Sequence, residues 1–128
     1  LDTFCNITLR SGHGGIYRSV TFGRTIATMK LGILVNTDKH LAEIAGLTHA
    51  ALAKGHEVAI FAMDEGTRLL ADPGYIGLCR LPGVTLSVCQ HSAGAHGVSV
   101  AGLPPEVHCG SQLQNAMMQH AADRVVVL

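Results

Sequence analysis

Cys89 follows the apolar run Val84-Thr85-Leu86-Ser87-Val88 directly and precedes Gln90-His91-Ser92-Ala93-Gly94. This pattern puts a thiol at the carboxyl end of a buried strand and at the start of a helix. Ligands and chemistry gather at that end of the strands in open α/β sheets. The free N–H groups and dipole of a helix N-terminus favour thiolate over thiol. The position therefore suits a nucleophilic sulfur. Cysteine is also one of the commonest small buried residues, and placement alone does not lift the reactive reading above an inert core one.

Other candidate groups fall into the same set of strand-end loops. Asn36, Thr37 and Asp38 follow the first apolar run, Met63, Asp64 and Glu65 the second, and His91 and Ser92 come just after Cys89. His91 can stabilise a thiolate or shuttle a proton, or be an ordinary surface histidine. Asn36 and Asp38 read first as turn and capping residues. Cys89, His91, His108 and Cys109 are zinc-type ligands, but their spacing matches no common zinc motif. A phosphate-binding cofactor needs hydroxyls and glycines at a helix start. Asn36-Thr37-Asp38-Lys39-His40 offers one hydroxyl and a repelling carboxylate, so neither a cofactor nor a metal is expected. No G-x-S-x-G turn supports a nucleophilic serine.

The elements that must position these groups are legible from residue 30 onward. Residues 31–35 are a short continuous apolar run, the pattern of a buried parallel strand. Asp38 is a candidate N-cap for a helix whose Leu41, Ile44, Ala45, Thr48, Ala51 and Leu52 share a face, with Lys54-Gly55 closing it. Residues 58–61 form a second strand. Residues 67–71 suit a short helix that Pro73-Gly74 ends. Residues 84–88 are a third strand, 90–95 a helix, and 98–109 a loop. Ser111 caps a helix on which Leu113, Ala116, Met117 and His120 share a face, and 124–128 are a last buried strand. The alternation predicts one α/β domain over residues 30–128, with a mainly parallel sheet, the strand at 31–35 central, and helices on both faces.

Composition narrows the partners. The 128 residues are 48% hydrophobic and 14% charged, without tryptophan, which suits an aliphatic core and a subunit that buries surface in an oligomer. A formal net charge of zero offers no basic surface for nucleic acid. No apolar run is long enough to span a bilayer. Four cysteines without a C-x-x-C pair favour reduced thiols and a cytoplasmic setting. Residues 1–29 differ: three arginines stand against one acid, and no clean period shows. Met29-Lys30 resembles a translation start, which makes 1–29 an extension of uncertain origin. Gly12-His13-Gly14-Gly15 is not a dinucleotide fingerprint, because Tyr17 stands where the last glycine belongs and no strand clearly precedes it.

Five segments together resemble the DsrE/DsrF-like sulfur-relay family. They are Leu31-Gly32-Ile33-Leu34-Val35-Asn36-Thr37-Asp38, Lys54-Gly55-His56-Glu57-Val58, Phe61-Ala62-Met63-Asp64-Glu65-Gly66, Pro82-Gly83-Val84 leading to Cys89, and Ala122-Asp123-Arg124-Val125-Val126-Val127. The resemblance covers residues 29–128. It implies a three-layer α/β/α sandwich of about five strands, assembled as homo-oligomers such as trimers or hexamers. It also implies a sulfurtransferase-type activity in some members, with a persulfide on a cysteine after a central strand. Cys89 matches that position. The implied partners are sulfur donor and acceptor proteins or small persulfides. The alternative is a non-catalytic oligomeric protein of the same fold that binds a small ligand or metal, or senses redox state. The resemblance gives Cys79 no role and leaves that of Cys109 open.

Overall fold

The structure, a computed structural model, describes residues 2–8, 19–25 and 27–128. Strands β1 (Asp2–Thr8) and β2 (Ser19–Thr25) pair antiparallel in a two-stranded sheet of their own. Sequence periodicity predicted no strand before Gly12, so β1 is a correction. The reading of Gly12 to Tyr17 lies outside the described residues.

The main sheet is built from β3 (Lys30–Val35), β4 (Glu57–Ala62), β5 (Val84–Cys89), β6 (Val107–Gly110) and β7 (Arg124–Val127). All neighbours run parallel, in the order β6-β5-β4-β3-β7. The strand expected to be central, β3, is an inner strand, but β4 is the middle one. The reason is β6. Residues 98–109 were expected as loop, yet Val107 to Gly110 form an edge strand on β5; without it β3 and β4 would share the centre, and with it β4 alone is central. Four residues with one inward apolar side chain, Val107, carry too short a pattern to read as a strand.

This order decides how the faces are covered. The chain adds β4, β5 and β6 in one direction and then returns past β3 to β7. Right-handed crossovers put every connection of the outward run on one face and the returning connection on the other. The first face accordingly packs Ile33, Val35, Ile60, Leu86 and Val88 beneath helices α1 (Leu41–Ala53), α2 (Pro73–Gly77) and α3 (Gln90–Ala95). A 3-10 segment, Asp64–Ala71, joins that layer. The second face holds a smaller cluster of Ala59, Phe61, Cys89 and Met118, flanked by Leu34 and Met63, under helix α4 (Gln112–Ala121). The result is a three-layer α/β/α sandwich with one thick layer and one thin layer.

Local chemistry explains three departures from expectation. Asp38 does not cap α1. The N-cap is His40, without a side-chain hydrogen bond, and the Asp38 carboxylate lies 3.7 Å from Arg68. The short helix expected over residues 67–71 is the end of the 3-10 segment, which stops at Ala71, but Pro73 also starts α2: it sits at the first position, where no N–H is needed, and Asp72 Oδ1 accepts from Gly74 N–H at 2.7 Å. On α4 the face shared by Leu113, Ala116, Met117 and His120 points outward. Leu113 and Met117 are 63% and 60% exposed, while Asn115 and Met118 face the sheet. Among the described residues no helix is long and apolar enough to cross a membrane.

Candidate functional site

β5 ends at Cys89, which is at once the last strand residue and the N-cap of α3. Its extended backbone (φ −73°, ψ 109°) turns the chain so that the following N–H groups point back at the sulfur. Ser92 N–H donates to Cys89 Sγ at 3.4 Å. The thiol thus takes the place of the hydroxyl or carboxylate that usually caps a helix. Alternation along β5 sends Val88 into the first-face core and Cys89 into the second.

The register places a row of groups beside the sulfur. β4 and β5 pair Ala62 with Val88, so the next residues, Met63 and Cys89, are neighbours on the second face. On the other side Cys89 pairs with Gly110, from which the chain turns through Ser111 into α4. A Cβ at Gly110 would lie 2.8 Å from Gln114 Cγ and Oε1, so glycine lets the first turn of α4 sit directly on the strand end. Ser111 and Gln114 close that turn with a capping box: Ser111 N–H donates to Gln114 Oε1 at 2.6 Å, and Ser111 Oγ accepts from Leu113 N–H at 3.2 Å. Gln112, the first residue of α4, thereby stands over the row. Its Nε2 lies 3.7 Å from Met63 Sδ.

Two opposing effects act on the Cys89 thiol. Burial raises its pKa. Donors from the Ser92 hydroxyl and N–H, the Gln112 amide and the His91 N–H stabilise the thiolate, and together they outweigh burial and lower it. All of these donors are neutral. His91 acts through its backbone, and its imidazole is exposed. The residue itself is only 2% exposed.

The other sequence-derived candidates are dispersed. Asn36 follows β3 directly, with its Oδ1 buried and without a protein partner, while Asp38 belongs to a surface ion cluster with Arg68 and Glu65. Cys109 is exposed, and its register partner is Val88, not Cys89. Alternation therefore points the two cysteines to opposite faces, the arrangement that forbids a disulfide within the chain. Among the described residues, no three His, Cys, Asp or Glu side chains gather where they could hold a metal ion. The structure thus does not assemble the zinc alternative of Cys89, His91, His108 and Cys109. Cys79 is buried in the first-face core. Sequence reasoning missed Gln112 and Asn115, because which face of α4 meets the sheet depends on the docked layer and not on the helix's own period.

A buried thiol that caps a helix at the carboxyl edge of a five-stranded parallel sheet defines an α/β protein with a cysteine-centred site. A model of the DsrE/DsrF-like family matches residues 29–128, and the chain belongs to that family. Among solved structures, the ychN protein from E. coli superposes with a TM-score of 0.61 at 13% identity, covering 80% of this chain and 100% of its own. The protein of unknown function MTH1491 from Methanobacterium thermoautotrophicum superposes with a TM-score of 0.62 at 15% identity, covering 78% and 99%. At these identities the likeness concerns the fold. No curated protein matches the sequence.

Proposed function

We propose that the chain is a sulfur carrier that holds one sulfane sulfur on Cys89. The observation that supports it is the sulfur's setting: an N-cap thiol whose pKa is lowered by converging neutral donors, within a DsrE/DsrF-like domain. The Cys89 thiolate attacks the outer sulfur of a donor persulfide R–S–SH. A new S–S bond forms, the old one breaks, and R–S⁻ leaves. Cys89–S–SH then gives its outer sulfur to an acceptor thiolate by the same exchange and returns to Cys89–S⁻. Neither step needs a metal, a redox cofactor or an external oxidant. The carrier works in a reducing compartment such as the cytoplasm, between donor and acceptor proteins or small persulfides.

The domain functions as a homo-oligomer. Among the described residues one helix covers the second face, and Leu113 and Met117 on α4 with Val125 and Val127 on β7 are exposed, an apolar surface that a further copy can cover.

Intact mass after incubation with a small persulfide tests the carrier. The wild type gains about 32 Da, one sulfur, and Cys89→Ser gains none. The burial of Cys89 favours a second reading, a non-catalytic protein whose Cys89 is a core residue. In that case no mass is gained, and Cys89 reacts with iodoacetamide only after unfolding.

A further inference from the structure

Along α4 a chain of three amides, the buried Asn115 between the exposed Gln112 and Gln119, ends at the sulfur pair. Gln119 Nε2 donates to Asn115 Oδ1 at 2.8 Å. Asn115 Nδ2 donates to Gln112 Oε1 at 2.9 Å and lies 3.9 Å from Met63 Sδ. Gln112 Nε2 reaches Met63 Sδ at 3.7 Å, beside Cys89. An amide has one accepting and one donating end, and here Asn115 Oδ1 accepts from Gln119 while Gln112 Oε1 accepts from Asn115. Because Asn115 engages the Gln112 oxygen, the Gln112 nitrogen has to face the sulfurs. Residues 112, 115 and 119 lie three and four apart, which is the spacing that brings side chains together on one helix face. Asn115 is buried, where an amide without partners would be costly. Its bonds run in one direction, so each polarises the next toward the sulfur.

We propose that Gln112 is the donor that holds a negatively charged sulfur at Cys89, and that Asn115 is the positioning residue that fixes the Gln112 amide toward it. The proposal rests on the reading of Cys89 as a sulfur-bearing thiolate and extends it to a specificity device. A neutral donor favours an anionic sulfur without attracting carboxylates or phosphates as a lysine would. In this proposal the amide whose nitrogen lies 3.7 Å from Met63 Sδ also serves the neighbouring thiolate, or the outer sulfur of an ionised persulfide there. The titratable side chains on the elements around the site are His91 and His96 on α3 and its cap, Asp64, Glu65 and Arg68 after β4, His108 and Cys109 of β6 and His120 of α4; Glu65 and His96 are half-buried and the others exposed. None of them is among the groups that lower the Cys89 pKa.

The test is a pH titration of thiolate ultraviolet absorbance, taken as each protein minus its Cys89→Ser counterpart, which needs no reagent to enter the site. Gln112→Leu should lower the thiolate-to-thiol ratio at a given pH about tenfold, the scale of one hydrogen bond to a charged group. Asn115→Leu should shift the titration in the same direction. The double variant should shift it no further than Gln112→Leu alone, because Asn115 acts through Gln112. Gln119→Leu, an exposed change that leaves the core intact, gives a smaller shift in the same direction and serves if Asn115→Leu does not fold. An unmoved titration in Gln112→Leu, or additive shifts in the double variant, would overturn the relay. A wild type that takes up no sulfur while these titrations still move would instead overturn the carrier reading alone.

Discussion

Gly110→Ala isolates the contact that docks α4 on the end of β6. The new methyl would sit 2.8 Å from Gln114 Cγ and Oε1 and 2.9 Å from Cδ. Its three nearest atoms all belong to the Gln114 side chain, so that side chain must leave. Its departure breaks the bond from Ser111 N–H to Gln114 Oε1, half of the capping box. Lost caps cost roughly 0.5–2 kcal/mol. Against this, alanine at a compatible backbone position restricts the unfolded chain and gains about 0.4–1 kcal/mol. Gly110 does not have a positive φ, so alanine fits its backbone. The two effects nearly cancel in the single variant, and a double-mutant cycle separates them. A Gln114→Ala background removes the three atoms nearest to the methyl, and there Gly110→Ala should stabilise by about 0.4–1 kcal/mol. The wild-type background should show a neutral or destabilising change, with a coupling energy of about 1 kcal/mol. Urea unfolding at constant m-value measures all four proteins. An equal effect of Gly110→Ala in both backgrounds would refute the steric argument.

Gly66→Ala should be far more costly, because its Cβ would run into the Val35 carbonyl oxygen and lie 2.8 Å from the carbonyl carbon, neither of which can move out of the sheet; a loss of at least ~2 kcal/mol by urea unfolding is expected. Tyr75→Phe should stabilise by about 1 kcal/mol: the hydroxyl is buried without a protein partner, and burial pushes its ionisation well above the ordinary range. A lower unfolding midpoint would instead indicate a bridging water. Cys89 gives a pH signature. Its folded pKa lies below the ordinary 9.0, so its stabilising contribution is full above that value and is lost as pH falls through the folded pKa. The stability difference between wild type and Cys89→Ser should therefore grow on raising the pH from acid toward 9, and a difference independent of pH would count against a stabilised thiolate.

Local pattern was enough for much of this molecule. Continuous apolar runs suit parallel strands, so β3, β4, β5 and β7 follow from residue types; the expectation that the last strand is buried does not hold, because β7 is an edge strand whose Val125 and Val127 are exposed. The α1 period, Gly55 at its end and Ser111 at the start of α4 were legible for the same reason: their physics involves only near neighbours in the chain. So was Cys89, at a strand-to-helix junction whose dipole and free N–H groups are local properties.

Contacts distant in sequence decided the rest. β6 exists because β5 offers an unpaired edge, and with only Val107 facing inward its own four residues could not announce it. The outward apolar face of α4 reads like a core stripe, and only the layer beneath the helix determines that Asn115 and Met118 turn inward instead. Asp38 looks like a cap until Arg68, thirty positions later, lies beside it. The surroundings of Cys89 show the division most clearly. Sequence alone placed a thiol at the right end of a strand. Met63 from β4, Gln112 and Asn115 from α4, and the glycine that lets the helix approach come together only through the sheet register and the returning crossover. No spacing along the chain encodes that meeting, because the pKa of a thiol depends on which dipoles surround it in space.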